Sequence, residues 1–248
     1  MSIFRFKQFE VVNERSAMKV NTDGVLLGAA MTLTRQDRLM LDVGTGTGTI
    51  ALMAAQRLSA LSECASSNDF RVDAIDIDEP SASEAAVNFR NSPWNANLRA
   101  LNLSLADYAA SLPEDLRFDL IFSNPPYFED SLTAPDERKS AARHTSDGLS
   151  YRDIFDFAAP RLTDNGRVAL VLPADQEHGL TRYGRMCGLH LYRILRIRTV
   201  PRKAPIRIVA EFSRHRPAHT DDSVLTIQNE GKYTQEYLSL TKDFYLFA

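Results

Sequence analysis

Hydrophobic and polar residues along this chain form blocks in which a short apolar run precedes a segment with apolar residues at helical spacing. Leu39–Val43 and Arg71–Asp76 are predicted strands, because each is a short run that ends in polar or glycine-rich sequence. The segment between them, Thr49–Leu61, has apolar residues three and four positions apart and is a predicted helix. This alternation predicts a parallel sheet with helices on both faces.

Helix-start signals mark further elements. Asp78 and Pro80 supply an N-cap and an early-turn proline, and Ser150 with Asp153 forms a capping-box pattern. We expect helices at residues 25–31, 79–90 and 151–162, and strands at residues 98–103, 118–123 and 167–172.

Two more apolar runs lie at residues 191–199 and 206–212, with only residues 200–205 between them. A connection this short joins antiparallel neighbours, whereas parallel strands need a long crossover. One of these two strands is therefore expected to run against the rest of the sheet.

The size of the chain, 248 residues of which 44% are hydrophobic, suits one sizeable core. We expect a single domain, 1–248, with an amino-terminal segment at 1–35, a core at 36–215 and a carboxyl-terminal extension at 216–248. No membrane-span or signal-peptide pattern is present in the sequence, which favours the cytoplasm. Cys64 and Cys187 lack a metal-ligand spacing, so no metal site is expected.

Charge is unevenly distributed along the chain, although the formal net charge is only -3. Ten Lys or Arg residues and the single acid Glu211 lie between Arg182 and Arg216, which gives this basic segment a charge of +9. The rest of the chain, given the total of -3, carries -12. Such a segment is either a solvated basic face or a surface for an anionic partner.

A glycine-rich turn follows the first of these predicted strands, in the pattern Asp42-x-Gly44-x-Gly46-x-Gly48. Positions without side chains at a strand-to-helix turn let a ligand approach the backbone. A nicotinamide-binding turn needs its third glycine at position 49, which is Thr49 here. The spacing therefore favours S-adenosylmethionine as the cofactor.

Three aspartates near strand ends are candidates for contacts with a nucleoside cofactor. A carboxylate at the end of the second strand can accept hydrogen bonds from both ribose hydroxyls, and we assign this role to Asp76. Asp78 competes for it but is already explained as the helix cap. Asp107 is placed to reach the adenine amino group, unless it is an ordinary exposed loop aspartate.

The most specific motif is Asn124-Pro125-Pro126-Tyr127, directly after an apolar strand. Two prolines fix the backbone. The side-chain oxygen of Asn124 and the main-chain oxygen of Pro125 can each accept one hydrogen of an aromatic amine, which directs its lone pair, while Tyr127 stacks on the base. The alternative is an ordinary strand-to-loop turn.

Several further segments carry a family resemblance, and these are Phe6-Lys-Gln-Phe9, Met18-Lys-Val-Asn-Thr-Asp-Gly-Val-Leu-Leu-Gly28, Ser92-Pro-Trp94, Ala142-Arg143 and Phe244-Tyr-Leu-Phe247. With the glycine and Asn124 motifs, the chain resembles the bacterial tRNA1(Val) (adenine(37)-N6)-methyltransferase family over nearly its whole length. The resemblance implies an α/β, class I methyltransferase (Rossmann-like) fold. That fold has a seven-stranded, mostly parallel sheet with one antiparallel strand, inserted beside the fifth, and helices on both faces.

The same resemblance implies functional residues. An amino-terminal flap over S-adenosylmethionine is expected at Lys19, Thr22, Asp23 and Gly24, although these residues also suit a plain turn before the helix at 25–31. The acceptor would be the N6 amine of adenosine 37 in a valine tRNA, with the anticodon stem-loop as partner. Independently of the resemblance, the basic segment suggests Arg202, Lys203 and Arg207 as RNA contacts, in addition to Tyr127 and Arg143.

Other activities are compatible with the Asn124 motif, which also serves guanine N2 and protein glutamine methylation. The basic segment argues against a protein acceptor. A non-catalytic RNA-binding module is a further alternative, and the intact motif from Asn124 to Tyr127 argues against it.

Overall fold

The computed structural model describes residues 2–61, 69–126 and 148–247. Seven α-helices lie in these ranges: α1 (Thr22–Ala30), α2 (Thr49–Leu61), α3 (Glu79–Arg90), α4 (Leu105–Ser111), α5 (Tyr151–Arg161), α6 (Glu177–Met186) and α7 (Gln235–Thr241). The described strands are β1 (Ile3–Arg5), β2 (Glu10–Val12), β3 (Leu39–Val43), β4 (Arg71–Asp76), β5 (Leu98–Asn102), β6 (Phe118–Ser123), β7 (Leu162–Pro173), β8 (His190–Arg198), β9 (Arg207–Ser213), β10 (Asp221–Thr226), β11 (Gln228–Asn229) and β12 (Lys232–Tyr233).

The central sheet has eight described strands in the order β10-β8-β9-β7-β6-β3-β4-β5. Strand β9 is antiparallel to both of its neighbours, and every other pairing in this sheet is parallel. The expected antiparallel strand, inserted beside the fifth parallel strand, is thus confirmed. The remaining described strands form two small hairpins, β1-β2 and β11-β12.

An eighth strand, β10, was not predicted and extends the sheet beyond the seven strands expected. Its sequence, Asp-Asp-Ser-Val-Leu-Thr, is mostly polar, and within it only Leu225 is buried. An edge strand needs few apolar side chains, because its outer side faces solvent. Its position in the sheet therefore depends on its pairing with β8 rather than on a hydrophobic pattern.

Five predicted elements, β3, α2, β4, α3 and β6, have the bounds expected from the sequence. The predicted capping box at Ser150 and Asp153 is also present. Strand β7 begins at Leu162, earlier than expected, since Leu162 already pairs with Phe118 of β6. The register then shifts before the next pair, Leu120 with Arg167. Helix α1 begins at Thr22 instead of residue 25.

Two apolar cores lie on the two faces of the sheet. One contains Leu26 of α1, Leu52 of α2 and Phe89 of α3. The other contains Phe155 of α5 and Leu180 of α6. The helices therefore cover both faces, as the alternation of strands and helices predicted.

Aromatic side chains connect the two ends of the chain. The ring of Phe6 stacks on Phe9 and Tyr245, with centroid separations of 4.6 and 6.1 Å, and Phe9 meets Trp94 edge-on at 5.9 Å. All four side chains are buried. These segments, which carry part of the family resemblance, thus have a packing function away from the glycine turn.

One core joins the three expected parts of the chain, since it contains Phe6, Leu52 and Phe244. We propose on this basis that 1–35, 36–215 and 216–248 form a single domain. Among the described helices, none has the length and apolar character needed to cross a bilayer.

Replacement of Phe6 by alanine should lower the free energy of unfolding by about 3 kcal/mol, because it leaves a cavity between Phe9 and Tyr245. Urea unfolding followed by circular dichroism measures the loss. Val224→Ala is the control, since Val224 is 51% exposed and should change stability by less than about 0.5 kcal/mol. Equal stability of the Phe6 variant and the wild type would contradict the packing function.

Candidate functional site

The carboxyl ends of β3, β4 and β6 meet at one edge of the sheet. Strand β3 pairs in parallel with β4 and β6, and the registers place Val43 opposite Ile75 and Asp42 opposite Phe122. Residues just past these strands are therefore neighbours. This carboxyl edge, where open α/β sheets bind ligands, brings together the glycine turn, Asp76 and Asn124.

The glycine turn has a backbone that favours glycine. Gly44, Gly46 and Gly48 have φ values of 71°, 57° and 81°, in the left-handed region. The amides of Gly44 and Thr45 both donate to the carbonyl oxygen of Ile75, at 2.9 and 3.0 Å. The turn is therefore tied to the end of β4.

The three glycines have different surroundings. A Cβ on Gly48 would lie 2.5 Å from the Phe89 ring, so this glycine lets α2 pack against α3. A Cβ on Gly46 would instead meet the Ser16 hydroxyl and Met18 at 3.4 to 3.5 Å. The amino-terminal segment thus lies over Gly46.

Asp76 lies against the glycine turn, since its Oδ2 accepts a hydrogen bond from the Gly46 amide at 2.8 Å. Its Oδ1 accepts from the Asp78 amide at 2.9 Å. Burial raises the pKa of Asp76, while these two amide hydrogen bonds lower it. Asp78 itself accepts from the amide and hydroxyl of Ser81, at 3.0 and 2.6 Å, as expected of the α3 cap.

Ile77, between these two aspartates, was missed by the sequence reasoning. Its side chain is 78% exposed, and the Asn102 amide group donates to the main-chain oxygens of Asp76 and Ile77, both at 3.0 Å. An exposed apolar side chain held at a ligand-binding edge suits the flat face of a base. The signal in the sequence was an isoleucine between two acids at a strand end.

Asp107 lies in the first turn of α4 rather than in a loop, and it is exposed. The Ser104 hydroxyl accepts from the Asp107 amide at 3.0 Å and donates to its carboxylate at 2.6 Å. Helix capping therefore explains this aspartate without a ligand.

Asp42, at the end of β3, is fully buried. The Thr45 hydroxyl donates to its Oδ2 at 2.7 Å, whereas its Oδ1 has no hydrogen-bond partner among the described residues. Burial, opposed by the Thr45 hydrogen bond and reinforced by the nearby charge of Asp76, raises the pKa of Asp42 to about 7.

Asn124 directly follows β6 and is partly buried, Pro125 is buried, and Pro126 is exposed. The preceding residue, Ser123, donates its hydroxyl hydrogen to the main-chain oxygen of Val43 at 2.6 Å. This bond holds the start of the Asn124 motif to the strand that leads into the glycine turn. Tyr127 and Arg143, which are expected to contact the RNA, lie outside the described residues.

The amino-terminal segment is anchored by one buried carboxylate, which the sequence reasoning also missed. Glu84 of α3 accepts hydrogen bonds from the amides of Glu14, Arg15 and Ser16, at 2.9, 2.6 and 3.2 Å. Asn88, one turn later, is bonded to both backbone groups of Val12. The available signal was a polar pair four residues apart on a helix that is otherwise well packed.

The predicted flap residues continue from this anchored segment. The Lys19 amino group donates to the main-chain oxygen of Glu14, and Thr22 is the exposed first residue of α1. The Asn21 side chain accepts from the Gly24 amide at 2.9 Å and caps the helix.

Asp23 and Arg207 contact each other, although Asp23 is expected in the flap over the cofactor and Arg207 as an RNA contact. Arg207 Nε lies 2.8 Å from Asp23 Oδ2, and both side chains are less than a third exposed. This ion pair joins the first turn of α1 to the start of β9.

The basic segment is not a single free face. Five of its ten cations make hydrogen bonds or ion pairs within the protein, namely Arg193, Arg196, Arg198, Arg207 and Arg214. The other five have no such partner among the described residues, namely Arg182, Arg185, Arg202, Lys203 and Arg216. Of these five, Arg202 and Lys203 are exposed in the β8–β9 turn, which lies at the carboxyl edge because β8 runs parallel to β7.

Replacement of Asp42 by asparagine should remove a pH dependence of stability. Since the folded-state pKa of about 7 lies above the ordinary 3.8, the stabilising contribution of the protonated carboxyl is full below about pH 4 and is lost as the pH rises through about 7. Wild type should therefore lose stability relative to Asp42→Asn between about pH 5 and pH 8. Urea unfolding of both proteins at about pH 5 and pH 8, without added cofactor, measures the difference between their free energies of unfolding. The same difference at both pH values would contradict the prediction.

Known proteins resemble this chain in sequence and in fold. The Methyltransferase small domain family matches residues 15–179. The chain is 41% identical to the tRNA1(Val) (adenine(37)-N6)-methyltransferase of Parabacteroides distasonis, over 98% of this chain and 97% of that protein. The enzyme of the same name from Flavobacterium psychrophilum is 35% identical, over 98% and 99% of the two chains.

Among solved structures, a predicted O-methyltransferase from Agrobacterium tumefaciens superposes with a TM-score of 0.65 at 18% identity, covering 90% of this chain and 96% of that one. A putative class I S-adenosylmethionine-dependent methyltransferase from Listeria monocytogenes gives a TM-score of 0.55 at 14% identity, covering 82% and 62%. These two likenesses establish the fold. Because the chain is 35% to 41% identical to these relatives over nearly its full length, it belongs to the tRNA1(Val) (adenine(37)-N6)-methyltransferase family.

Proposed function

We propose that this protein transfers a methyl group from S-adenosylmethionine to the N6 amine of adenosine 37 in a valine tRNA, in the cytoplasm. The relatives of this chain are named tRNA1(Val) (adenine(37)-N6)-methyltransferases, and one structural observation supports the same activity here. The start of the Asn124 motif and the glycine turn lie at the same edge of the sheet, joined by the bond from Ser123 to Val43.

The cofactor half of the site has features that suit a nucleoside with a charged amino-acid tail. Gly44 and Gly46 contribute no side chain to the turn, and Asp42 keeps a buried oxygen without a partner among the described residues. We assign the ribose hydroxyls to the carboxylate of Asp76, since each carboxylate oxygen can accept more than one hydrogen bond. We assign the face of the adenine to Ile77 and its amino group to Asp107, whose carboxylate can accept a further hydrogen bond besides the one from Ser104.

The flap residues would cover this cofactor from above the glycine turn. We assign the cover to Lys19, Thr22 and Gly24, because the segment that precedes them already lies over Gly46. Asp23 and Arg207 instead act as a pair that holds the first turn of α1 in place, since each neutralises the other.

Bound S-adenosylmethionine supplies a methyl group on a positively charged sulfur. The protein must direct the amine lone pair, which is otherwise delocalised into the adenine ring. The oxygens of Asn124 and Pro125 accept the two amine hydrogens and orient the lone pair, and Tyr127 stacks on the base. With the cofactor held at Asp76 and the glycine turn, its methyl group would pass from sulfur to the lone pair that Asn124 and Pro125 orient, and solvent would take the proton that the amine then loses.

Docking of the tRNA is assigned to Arg202 and Lys203, which are exposed at the carboxyl edge. Phosphate contacts of this kind position an RNA without reading its sequence. An unpaired loop base suits the site because extruding it costs less than opening a duplex. Arg143 is a further proposed contact.

The activity is tested by incubating the protein with labelled S-adenosylmethionine and total tRNA from a strain that lacks the enzyme. Nucleoside mass spectrometry should find the label in N6-methyladenosine, and sequencing should place it at position 37 of a valine tRNA. Label in N2-methylguanosine, in a protein glutamine or in no product would contradict the proposal.

Replacement of Asn124 by alanine should lower the single-turnover methylation rate roughly 100-fold, because an acceptor that orients the amine is lost. Cofactor affinity, measured by calorimetry, should stay close to that of the wild type. Asn165→Ala is the matched control, since Asn165 is exposed in the irregular start of β7. An unchanged rate for Asn124→Ala would remove this residue from the catalytic group.

A further inference from the structure

The outer strands of the sheet leave a groove beside α6. Glu177 of α6 is bonded to Arg196 of β8, so the even-numbered β8 side chains face the α6 side of the sheet. Arg198 follows on that side and donates to the Thr226 hydroxyl of β10 at 2.8 Å. Val224, on the same side of β10, is 51% exposed, so this part of the sheet face is open.

We name this open strip of the sheet face, with the adjoining side of α6, the α6–β10 groove and define it by Arg185, Arg196, Arg198, Val224 and Thr226. Arg185 belongs to its wall, because it lies eight residues after Glu177 and residues four apart share one side of a helix. The groove therefore extends about 12 Å along α6, given a rise of about 1.5 Å per residue.

Positive charge in the groove is only partly neutralised. Its carboxylates, Glu177 and Asp222, are both bonded to Arg196. Arg198 has only the neutral Thr226 hydroxyl as a partner, and Arg185 has none among the described residues. Two cations in the groove are thus without a carboxylate partner in the part of the chain that is described.

The groove opens at the carboxyl edge. Arg198 is the last residue of β8, and the turn that follows it carries Arg202 and Lys203. No acidic residue lies between Arg198 and Arg207. The uncompensated cations therefore lie on both sides of the cluster formed by Glu177, Arg196 and Asp222: Arg185 on α6, and Arg198 with the turn residues Arg202 and Lys203 towards the edge that holds Asn124.

We propose that the α6–β10 groove binds the RNA backbone, with Arg185 and Arg198 contacting phosphates of the stem that carries the acceptor loop. This inference rests on the proposed function. A loop base that enters at the carboxyl edge leaves its stem outside the site, and an open cationic groove beside that edge complements the charge of the stem.

The test compares Arg185→Gln/Arg198→Gln with a matched control, Arg90→Gln/Arg216→Gln. Both control cations are exposed, lie outside the groove and have no hydrogen bond or ion pair with another described residue. Fluorescence anisotropy with a labelled anticodon stem-loop RNA gives the affinity between about 50 and 200 mM salt.

The groove variant should bind the RNA about tenfold more weakly at the lower salt concentration. Its slope of log affinity against log salt should be flatter by about 1.4 to 1.8, because each lost phosphate contact removes about 0.7 to 0.9. The control variant should keep the wild-type slope, and both variants should keep the wild-type cofactor affinity. The single variant Arg185→Gln should flatten the slope by about half as much, and since Arg185 is exposed it carries no folding risk.

Wild-type affinity and slope in both groove variants would overturn the groove as an RNA surface. The failure of the proposed function looks different, because the wild-type protein would then form no N6-methyladenosine in any tRNA. Methylation by the wild type together with unchanged RNA binding by the groove variants would reject the groove alone.

Discussion

The parallel pairing of β3 with β4 on one side and β6 on the other is the constraint on which the site depends. Because the three strands end at one edge, residues far apart in the sequence become neighbours there without further adjustment. Positive φ angles at Gly44 and Gly46 then let the chain turn back over the strand ends. The same edge receives the Asn124 motif from β6, so the proposed contacts with the cofactor and the acceptor base follow from one topology.

The amino-terminal segment completes this edge through a single buried acid. The carboxylate of Glu84 accepts hydrogen bonds from three consecutive backbone amides, and hydrogen bonds to a charged carboxylate are strong. The segment that it fixes passes over Gly46 and leads into α1, whose first turn is joined to β9 by Asp23 and Arg207. The glycine turn and the basic β8–β9 turn are therefore linked through the beginning of the chain.

Features with a local cause could be predicted from the sequence, and those with a tertiary cause could not. The bounds of β3 and β4 and the Ser150 capping box follow from apolar spacing and from side chains that bond to neighbouring amides. The pairing of Asp23 with Arg207 spans 184 residues, and no local pattern contains it. The polar strand β10 gains its place from β8, and for that reason the sheet is wider than expected. The charge pattern of the basic segment predicts an exposed basic face or a surface for an anionic partner. Half of its cations are instead bonded within the protein.

We propose that the carboxyl edge of β3, β4 and β6 binds S-adenosylmethionine with Asn124 beside its methyl group. A crystal structure of the protein with S-adenosylhomocysteine, the product form of the cofactor, tests it most directly. We expect ribose hydroxyls on the Asp76 carboxylate, adenine against Ile77, and the sulfur atom facing Asn124. A nucleoside bound at another edge of the sheet, or one whose ribose makes no contact with Asp76, would contradict it.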